Sequence, residues 1–136
     1  MSQENLEIVK RAYAAFNRGD VPTVLQMFAE RLEHFEVVSD ARSKAPWHVP
    51  GRTREDVGTY FNLLVGALEP MGLEYEHLAA GGDYVYATTR QQFRVRKTGK
   101  PLTMRCSIHR FKIVEGRFVG WLAMEDTALT REALDG

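Results

Sequence analysis

Hydrophobic residues recur at helical spacing in the first half of the chain and alternate with polar residues in the second half. The first periodic set is Leu6, Val9, Tyr13 and Phe16. This spacing places one apolar stripe along a helix and predicts an amphipathic helix over residues ~3–18.

Two further helices are predicted from their start and stop signals. Gly19 is placed to end the first helix, and Asp20 is placed to cap a short second helix. That second helix has one apolar face, made of Val21, Val24, Leu25 and Phe28. Thr53-Arg-Glu-Asp56 resembles a capping box, and Pro70 marks the end of the helix that follows. The apolar face of this third helix consists of Val57, Tyr60, Phe61, Leu64 and Leu68.

The remaining periodic segments predict strands, because apolar and polar residues alternate or β-branched residues are frequent. These segments are residues ~32–38, ~72–80, ~83–97, ~101–114 and ~117–126. Turns are expected at Gly81-Gly82, at residues 97–100 and at Glu115-Gly116, where glycine supplies a positive φ. Residues 39–51 contain two prolines and predict a loop. Residues 127–134 predict a short terminal helix, with Asp126 as its cap or as a structural residue.

This order of elements predicts one α+β domain over residues 1–136. A strongly curved antiparallel sheet, with the three helices of the N-terminal half across its concave side, would enclose a cone. One end of such a cone stays open as an internal pocket.

Composition excludes several classes of partner. The 136 residues include 18 Lys and Arg and 18 Asp and Glu, so the formal charge is zero and the basic surface typical of nucleic-acid or anionic-membrane binding is not expected. No apolar run approaches the ~18 residues of a membrane span. The first residues lack the pattern of a secretory signal, so a cytoplasmic location is the default expectation. No CxxC or HxxxH spacing is present, and neither a metal nor another cofactor is expected.

The most informative segment is residues 107–126, which read as a hairpin of two long strands. Alternation puts Ser107, His109 and Phe111 on one face of the first strand. It puts Trp121, Ala123 and Glu125 on one face of the second. Ionisable and aromatic side chains mixed with apolar ones suit the wall of a pocket better than a plain core. Cys106 has no base spaced to activate it and is interpreted as a small core residue.

Several sequence motifs resemble those of one superfamily over residues ~4–130. It includes nuclear transport factor 2 (NTF2), the ketosteroid isomerases and the SnoaL-like polyketide cyclases, and the likeness to SnoaL-like members is greatest. The motifs are RAYAAFNRGD (11–20), MFA (27–29), GR (51–52), HRF (109–111), GRFVGW (116–121) and EDT (125–127). The resemblance implies the cone-shaped fold, a small apolar ligand and a homodimer formed through the outer face of the sheet. It does not fix the activity, because the superfamily holds enzymes and non-catalytic binding domains.

The resemblance also carries site residues. The general-base aspartate of ketosteroid isomerases aligns with Glu36, and the carboxylic acid of their oxyanion hole aligns with His109. Their helix tyrosine aligns with Ala12, with Tyr13 one position away, about 100° round the helix. Limonene epoxide hydrolases carry an aspartate where this chain has Ala123, which argues against that chemistry.

Each candidate also has a purely structural interpretation. A strand Glu such as Glu36 is most often solvent-facing, although an enclosed carboxylate is suited to removing a proton next to a carbonyl. His109 is either a satisfied core histidine or a donor to a developing oxyanion. Glu125 is either a solvated rim residue or a catalytic group that fixes the tautomer of His109. Trp47 and the neighbouring His48 either form a lid or cover the edge of the sheet.

We expect the site residues to converge on one cavity beneath the first and third helices. The catalytic candidates are Glu36, His109 and Glu125. The substrate-binding candidates are Tyr13, His34, Trp47, Tyr60, Trp121 and Ala123. Two function classes remain: a cofactor-independent enzyme of isomerase, cyclase or dehydratase type, acting on a small apolar carbonyl or polyketide-like compound, and a non-catalytic ligand-binding or dimerisation domain.

Overall fold

A computed structural model describes residues 2–135 and shows an α+β fold, as the sequence predicts. Its helices are α1 (Ser2–Asn17), α2 (Val21–Gln26), α3 (Arg54–Ala67) and α4 (Thr127–Leu134). Its strands are β1 (His34–Val37), β2 (Leu68–Gly81), β3 (Tyr84–Val95), β4 (Pro101–Val114) and β5 (Arg117–Met124).

The strands form one five-stranded sheet in the order β1-β5-β4-β3-β2. Strands β2 to β5 pair antiparallel, whereas β1 pairs parallel with β5 at one edge, which makes the sheet mixed. Register shifts interrupt the β2–β3, β3–β4 and β4–β5 ladders. Such bulges increase local twist and bend the strands, so they let the sheet curve around the helices.

The local signals read from the sequence form as expected. The Asp20 side chain accepts a hydrogen bond from Thr23 N at the start of α2. Thr53 and Asp56 complete the capping box of α3 through reciprocal side-chain-to-backbone bonds. At the β4–β5 turn both Glu115 (φ 51°) and Gly116 (φ 77°) adopt positive φ, a combination typical of a tight type I′ hairpin.

Besides the parallel pairing of β1, where an antiparallel sheet was predicted, two details differ from the sequence prediction. Helix α3 ends at Ala67, and Pro70 lies inside β2; proline is tolerated there because β2 is an edge strand. Cys106 is exposed rather than a core residue. The β3–β4 register shifts between Thr89 and Gln91, and this bulge changes the alternation near Cys106.

The core has two clusters of buried side chains. The larger packs α1, α2 and α3 against the sheet and contains Val9, Phe35, Phe118 and Trp121. In the smaller cluster, Trp47 packs with residues of α3, β3, β4 and α4. No helix within residues 2–135 has the length and apolar character needed to cross a membrane.

Candidate functional site

A cavity of ≈ 70 Å³, here called the central cavity, lies between the helices and the inner face of the sheet. Aromatic side chains form most of its wall. The polar side chains that line it belong to Tyr13, Tyr60, Gln91, His109 and Glu125. A few polar groups in a mainly apolar enclosure are the usual composition of a small-molecule site.

His109 lies at the centre of a buried chain of polar contacts. Its Nδ1 is 2.9 Å from the Tyr13 hydroxyl, and its Nε2 is 3.3 Å from Gln91 Nε2. An amide nitrogen can only donate, so His109 Nε2 accepts and the proton of the neutral ring is on Nδ1. That proton is donated to the Tyr13 oxygen, which leaves the Tyr13 O–H free to donate to another acceptor.

Burial keeps this chain uncharged. Desolvation lowers the pKa of His109 to about 4, against a smaller opposing effect of the Glu125 charge. Desolvation also raises the pKa of Tyr13 far above its ordinary value. Near neutral pH the site therefore presents a neutral imidazole and a protonated phenol, both suited to hydrogen bonding rather than to holding charge.

The pKa of His109 predicts a measurable acid sensitivity. In the unfolded chain the imidazole takes up a proton near pH 6.5, whereas in the folded chain its pKa is about 4. His109 therefore has no pH effect on the free energy of unfolding above pH 6.5. As the pH falls from 6.5 towards 4, the free energy of unfolding decreases, by roughly 3 kcal/mol in total.

Urea unfolding of the wild type and of His109→Gln at several pH values between 7 and 4 isolates this effect. We expect the wild type to lose the larger amount of unfolding free energy on acidification. Parallel pH dependences in the two proteins would show that His109 is not held neutral by burial.

Glu125 is the first residue after β5 and continues its inward face. Its side chain is 7% exposed and lines the central cavity. Its Oε1 lies 3.7 Å from Nε2 of His48, whose side chain is 1% exposed. Burial first, and then the charge of Glu125, raise the pKa of Tyr60 well above its ordinary value. The Glu125 carboxyl group therefore lies in the cavity close to the His48 imidazole of the loop and the Tyr60 hydroxyl of α3.

The structure brings together most of the predicted site residues. The central cavity is lined by Tyr13, Tyr60, His109, Trp121 and Glu125. Ala123 is buried on the same face of the sheet and pairs with His109 across the β4–β5 ladder, but it does not line the cavity. The helix position of Tyr13 was ambiguous in the sequence, and its hydroxyl points to His109.

The predicted placement of Glu36 and His34 in the cavity is wrong. In β1 the buried residues are Phe35 and Val37, while His34 and Glu36 are half-buried on the opposite face. The His34 ring lies over Gly120, where an added Cβ would approach its Cε1 to less than contact distance. Successive side chains of a strand point to opposite faces, so Phe35 faces the cavity and the neighbouring Glu36 faces outward.

Trp47 also lies outside the central cavity. It is buried in the smaller core cluster, so the expectation that it binds substrate is not met by its position. Gln91 was not predicted as a site residue, and His48 was predicted only as part of a lid or a cover for the sheet edge. Gln91 continues the inward alternation of Val85 and Ala87 in β3, which was a usable signal. The contact of His48 with Glu125 joins a loop to a distant strand and has no sequence signature.

No group of three or more His, Cys, Asp or Glu side chains in the part of the chain described by the structure is arranged to hold a metal ion.

A family model described as "SnoaL-like domain" matches residues 9–121. No protein of curated function matches the sequence. Solved structures share the fold at low identity. An NTF2-like protein of unknown function from Burkholderia pseudomallei has a TM-score of 0.87 at 20% identity, covering 98% of both chains.

Two other solved structures have names that bear on function. A proposed isomerase from Bacillus subtilis has a TM-score of 0.83 at 16% identity, covering 98% of this chain and 94% of that one. TerC, co-crystallised with polyporic acid, has a TM-score of 0.84 at 16% identity, covering 98% of this chain and 99% of that one. At these identities the likeness shows the fold alone.

Proposed function

The chain belongs to the SnoaL-like domain family, and we propose that its central cavity binds a small, mostly apolar carbonyl compound and moves a proton on it. The observation that carries this proposal is the pairing of a neutral donor chain, Tyr13–His109–Gln91, with an enclosed carboxyl group, Glu125, in an aromatic cavity. Similar folds named for an isomerase and for a complex with polyporic acid are consistent with it.

Tyr13 is the proposed donor to the carbonyl oxygen of the ligand. Its own oxygen accepts from His109 Nδ1, so its hydrogen is available to a ligand. A donor fixed in a water-poor site stabilises the negative charge that develops on a carbonyl oxygen. The sequence predicts His109 as the donor to a developing oxyanion. We propose Tyr13 for this role instead, with His109 and Gln91 as positioning residues.

Glu125 is the proposed acid–base group. In the first step its carboxylate takes a proton from the carbon next to the carbonyl, and the C–H electrons form the enolate while the oxygen gains charge opposite Tyr13. Glu125 can then return the proton to a different atom. Isomerisation, dehydration and aldol-type cyclisation all share this first step, and the proposal requires no cofactor.

The size of the cavity restricts the ligand. Its ≈ 70 Å³ is well below the ~300 Å³ at the lower end of sites for drug-sized ligands. A compound with one small ring is favoured in this conformation. Larger polyketide-like compounds require movement of wall residues such as Phe16 and Phe61, which pack together 6.0 Å apart and are only partly buried.

A two-stage experiment with a panel of small carbonyl compounds tests the proposal. Small aryl ketones and related compounds are screened by thermal shift, since a ligand that binds only the folded state raises its stability. The hits are then incubated with the protein in D₂O, and deuterium uptake next to the carbonyl is followed by NMR. Catalysed uptake is the expected result. Hits that bind without any catalysed uptake would favour the non-catalytic binding domain.

We also propose that the chain forms a homodimer through the outer face of the sheet. Tyr86, Ile108 and Met124 are 46%, 44% and 55% exposed on this face and lie on three adjacent strands. Beside them, Thr88 Oγ1 and Arg110 Nε are buried without a hydrogen-bond partner among residues 2–135. An apolar patch next to unpaired polar atoms is suited to a second copy that covers the first and pairs with the second.

Sedimentation of the wild type and of Ile108→Glu tests the dimer. We expect a dimer at micromolar concentration for the wild type and a folded monomer for Ile108→Glu, because a buried unpaired carboxylate opposes association. Leu63→Glu, which places the same charge at an exposed position of α3, is the matched control and should remain dimeric. A monomeric wild type would contradict the proposal.

A further inference from the structure

A second chain of polar contacts connects Glu125 with the protein surface. Ser43 Oγ is 2.6 Å from His48 Nδ1, and His48 Nε2 is 3.7 Å from Glu125 Oε1. Ser43 is half-buried and lines a surface cleft with Asp40, Arg42 and Thr127 among others, and this cleft shares no lining residue with the central cavity. The three residues therefore form a line from a surface cleft to the interior.

The loop holds His48 in a defined orientation. Trp47 is anchored in the smaller core cluster, and its ring packs edge-on against the His48 ring at 5.7 Å. The His48 backbone N–H donates to Ala45 O at 3.0 Å. These contacts leave little freedom for the imidazole ring, so its direction towards Glu125 is a built feature of the loop.

The hydrogen bonds also permit proton donation from Ser43 through His48 towards Glu125. Ala45 N–H donates to Ser43 Oγ at 3.4 Å, so the Ser43 hydroxyl hydrogen is available to His48 Nδ1. When Ser43 donates to a neutral ring, Nδ1 accepts and the ring proton is on Nε2. That proton points at Glu125, although Nε2 has no partner within hydrogen-bond distance in the described part of the chain. Closing the gap from 3.7 Å to hydrogen-bond range requires a shift of only about 0.5 Å.

We propose that Ser43 and His48 are a proton relay that connects Glu125 to solvent, whether or not a ligand fills the central cavity. For uptake, Glu125 takes the Nε2 proton, Nδ1 takes the Ser43 hydroxyl proton, and Ser43 takes one from water in the cleft, which leaves hydroxide there and the ring proton on Nδ1. Release starts from this tautomer: Glu125 gives a proton to Nε2, Nδ1 gives its proton to Ser43, and the Ser43 hydroxyl proton passes to the hydroxide. Uptake and release therefore alternate, so that Glu125 can deliver one proton to a ligand and later discard the proton that it removes. The relay rests on the acid–base role proposed for Glu125. The other titratable groups close to Glu125 are Tyr60 of α3 and His109 of β4.

The relay is needed because direct access is restricted. The Glu125 side chain is only 7% exposed, and a ligand in the cavity would cover the side facing it. An isomerase can return the same proton to its substrate, but a dehydration or an exchange with solvent requires a proton to enter or leave. A relay through His48 keeps that path separate from the ligand.

The test measures how fast the Glu125 carboxyl equilibrates with solvent in the full chain without any ligand. A pH jump is followed by infrared absorption of the carboxylic acid band, which is assigned to Glu125 by its loss in E125Q. We expect S43A and H48Q to slow this equilibration, on the order of 10²-fold, while S43T keeps the rate because it keeps the hydroxyl.

A purely structural role of Ser43 predicts no slowing. Removing the Ser43 hydroxyl would then loosen the loop and leave the rate unchanged or faster, and that result overturns the relay. If H48Q fails to fold, the S43A and S43T pair still decides the question. The infrared test uses no ligand, so its result does not depend on the deuterium-uptake experiment. If the relay is wrong, the wild type still takes up deuterium. If the proposed function is wrong, deuterium uptake is absent and the infrared result still stands.

Discussion

Glu125→Gln should slow deuterium uptake next to the carbonyl of a bound ligand by about 10²-fold or more, the usual worth of a positioned general base. Gln has nearly the same shape as Glu but cannot accept the proton. Ligand affinity measured by thermal shift should change little, because the wall of the cavity is mostly aromatic. The uptake rate and the apparent affinity are measured on the same hits.

Glu36→Gln is the matched control for this experiment. It makes the same chemical change on the outer face of the sheet, where Glu36 lies outside the central cavity. We expect it to keep the wild-type uptake rate. If Glu36→Gln abolished uptake while Glu125→Gln did not, the assignment of the base to Glu125 would be wrong.

Phe118→Ala should cause the largest loss of stability of any single truncation considered, about 3–5 kcal/mol. Phe118 is 0% exposed and packs against Phe28 and Phe111, with ring centroids 5.1 and 4.9 Å away. Its backbone N–H donates to Met27 O and its carbonyl accepts from Ala29 N, so the residue also joins β5 to the end of α2. Truncation leaves a void between these elements that neighbouring side chains fill only in part.

Urea unfolding at neutral pH measures this loss. Leu63→Ala, at a position 39% exposed on α3, is the control and should change the free energy of unfolding by well under about 1 kcal/mol. A Phe118→Ala protein within about 1 kcal/mol of the wild type would mean that the core around α2 relaxes to close the void.

The fold could be predicted from the sequence because its signals are local. The capping box at Thr53 and Asp56, the cap at Asp20 and the turn at Glu115-Gly116 each depend on residues that are neighbours in sequence. The inward face of the hairpin follows from alternation over residues 107–111 in β4 and from Trp121 onward in β5. His109, Trp121 and Glu125 were therefore placed together correctly.

The site was harder to predict because alternation fixes two faces but not which one is inside. In β1 the apolar residues Phe35 and Val37 indicate the inward face, whereas the superfamily alignment places Glu36 there. At β4 a bulge changed the alternation near Cys106. The contact between His48 and Glu125 depends on how a loop folds over the sheet edge, and periodicity carries no information about such a contact.

A crystal structure of the protein with the strongest hit of the carbonyl screen would show whether Tyr13 and Glu125 face the reacting atoms of the ligand. We expect the ligand in the central cavity, with its carbonyl oxygen within hydrogen-bond distance of the Tyr13 hydroxyl and the neighbouring carbon facing the Glu125 carboxylate. A ligand bound in the cavity with its oxygen turned away from Tyr13, or one bound only outside the cavity, would contradict the proposed proton transfer.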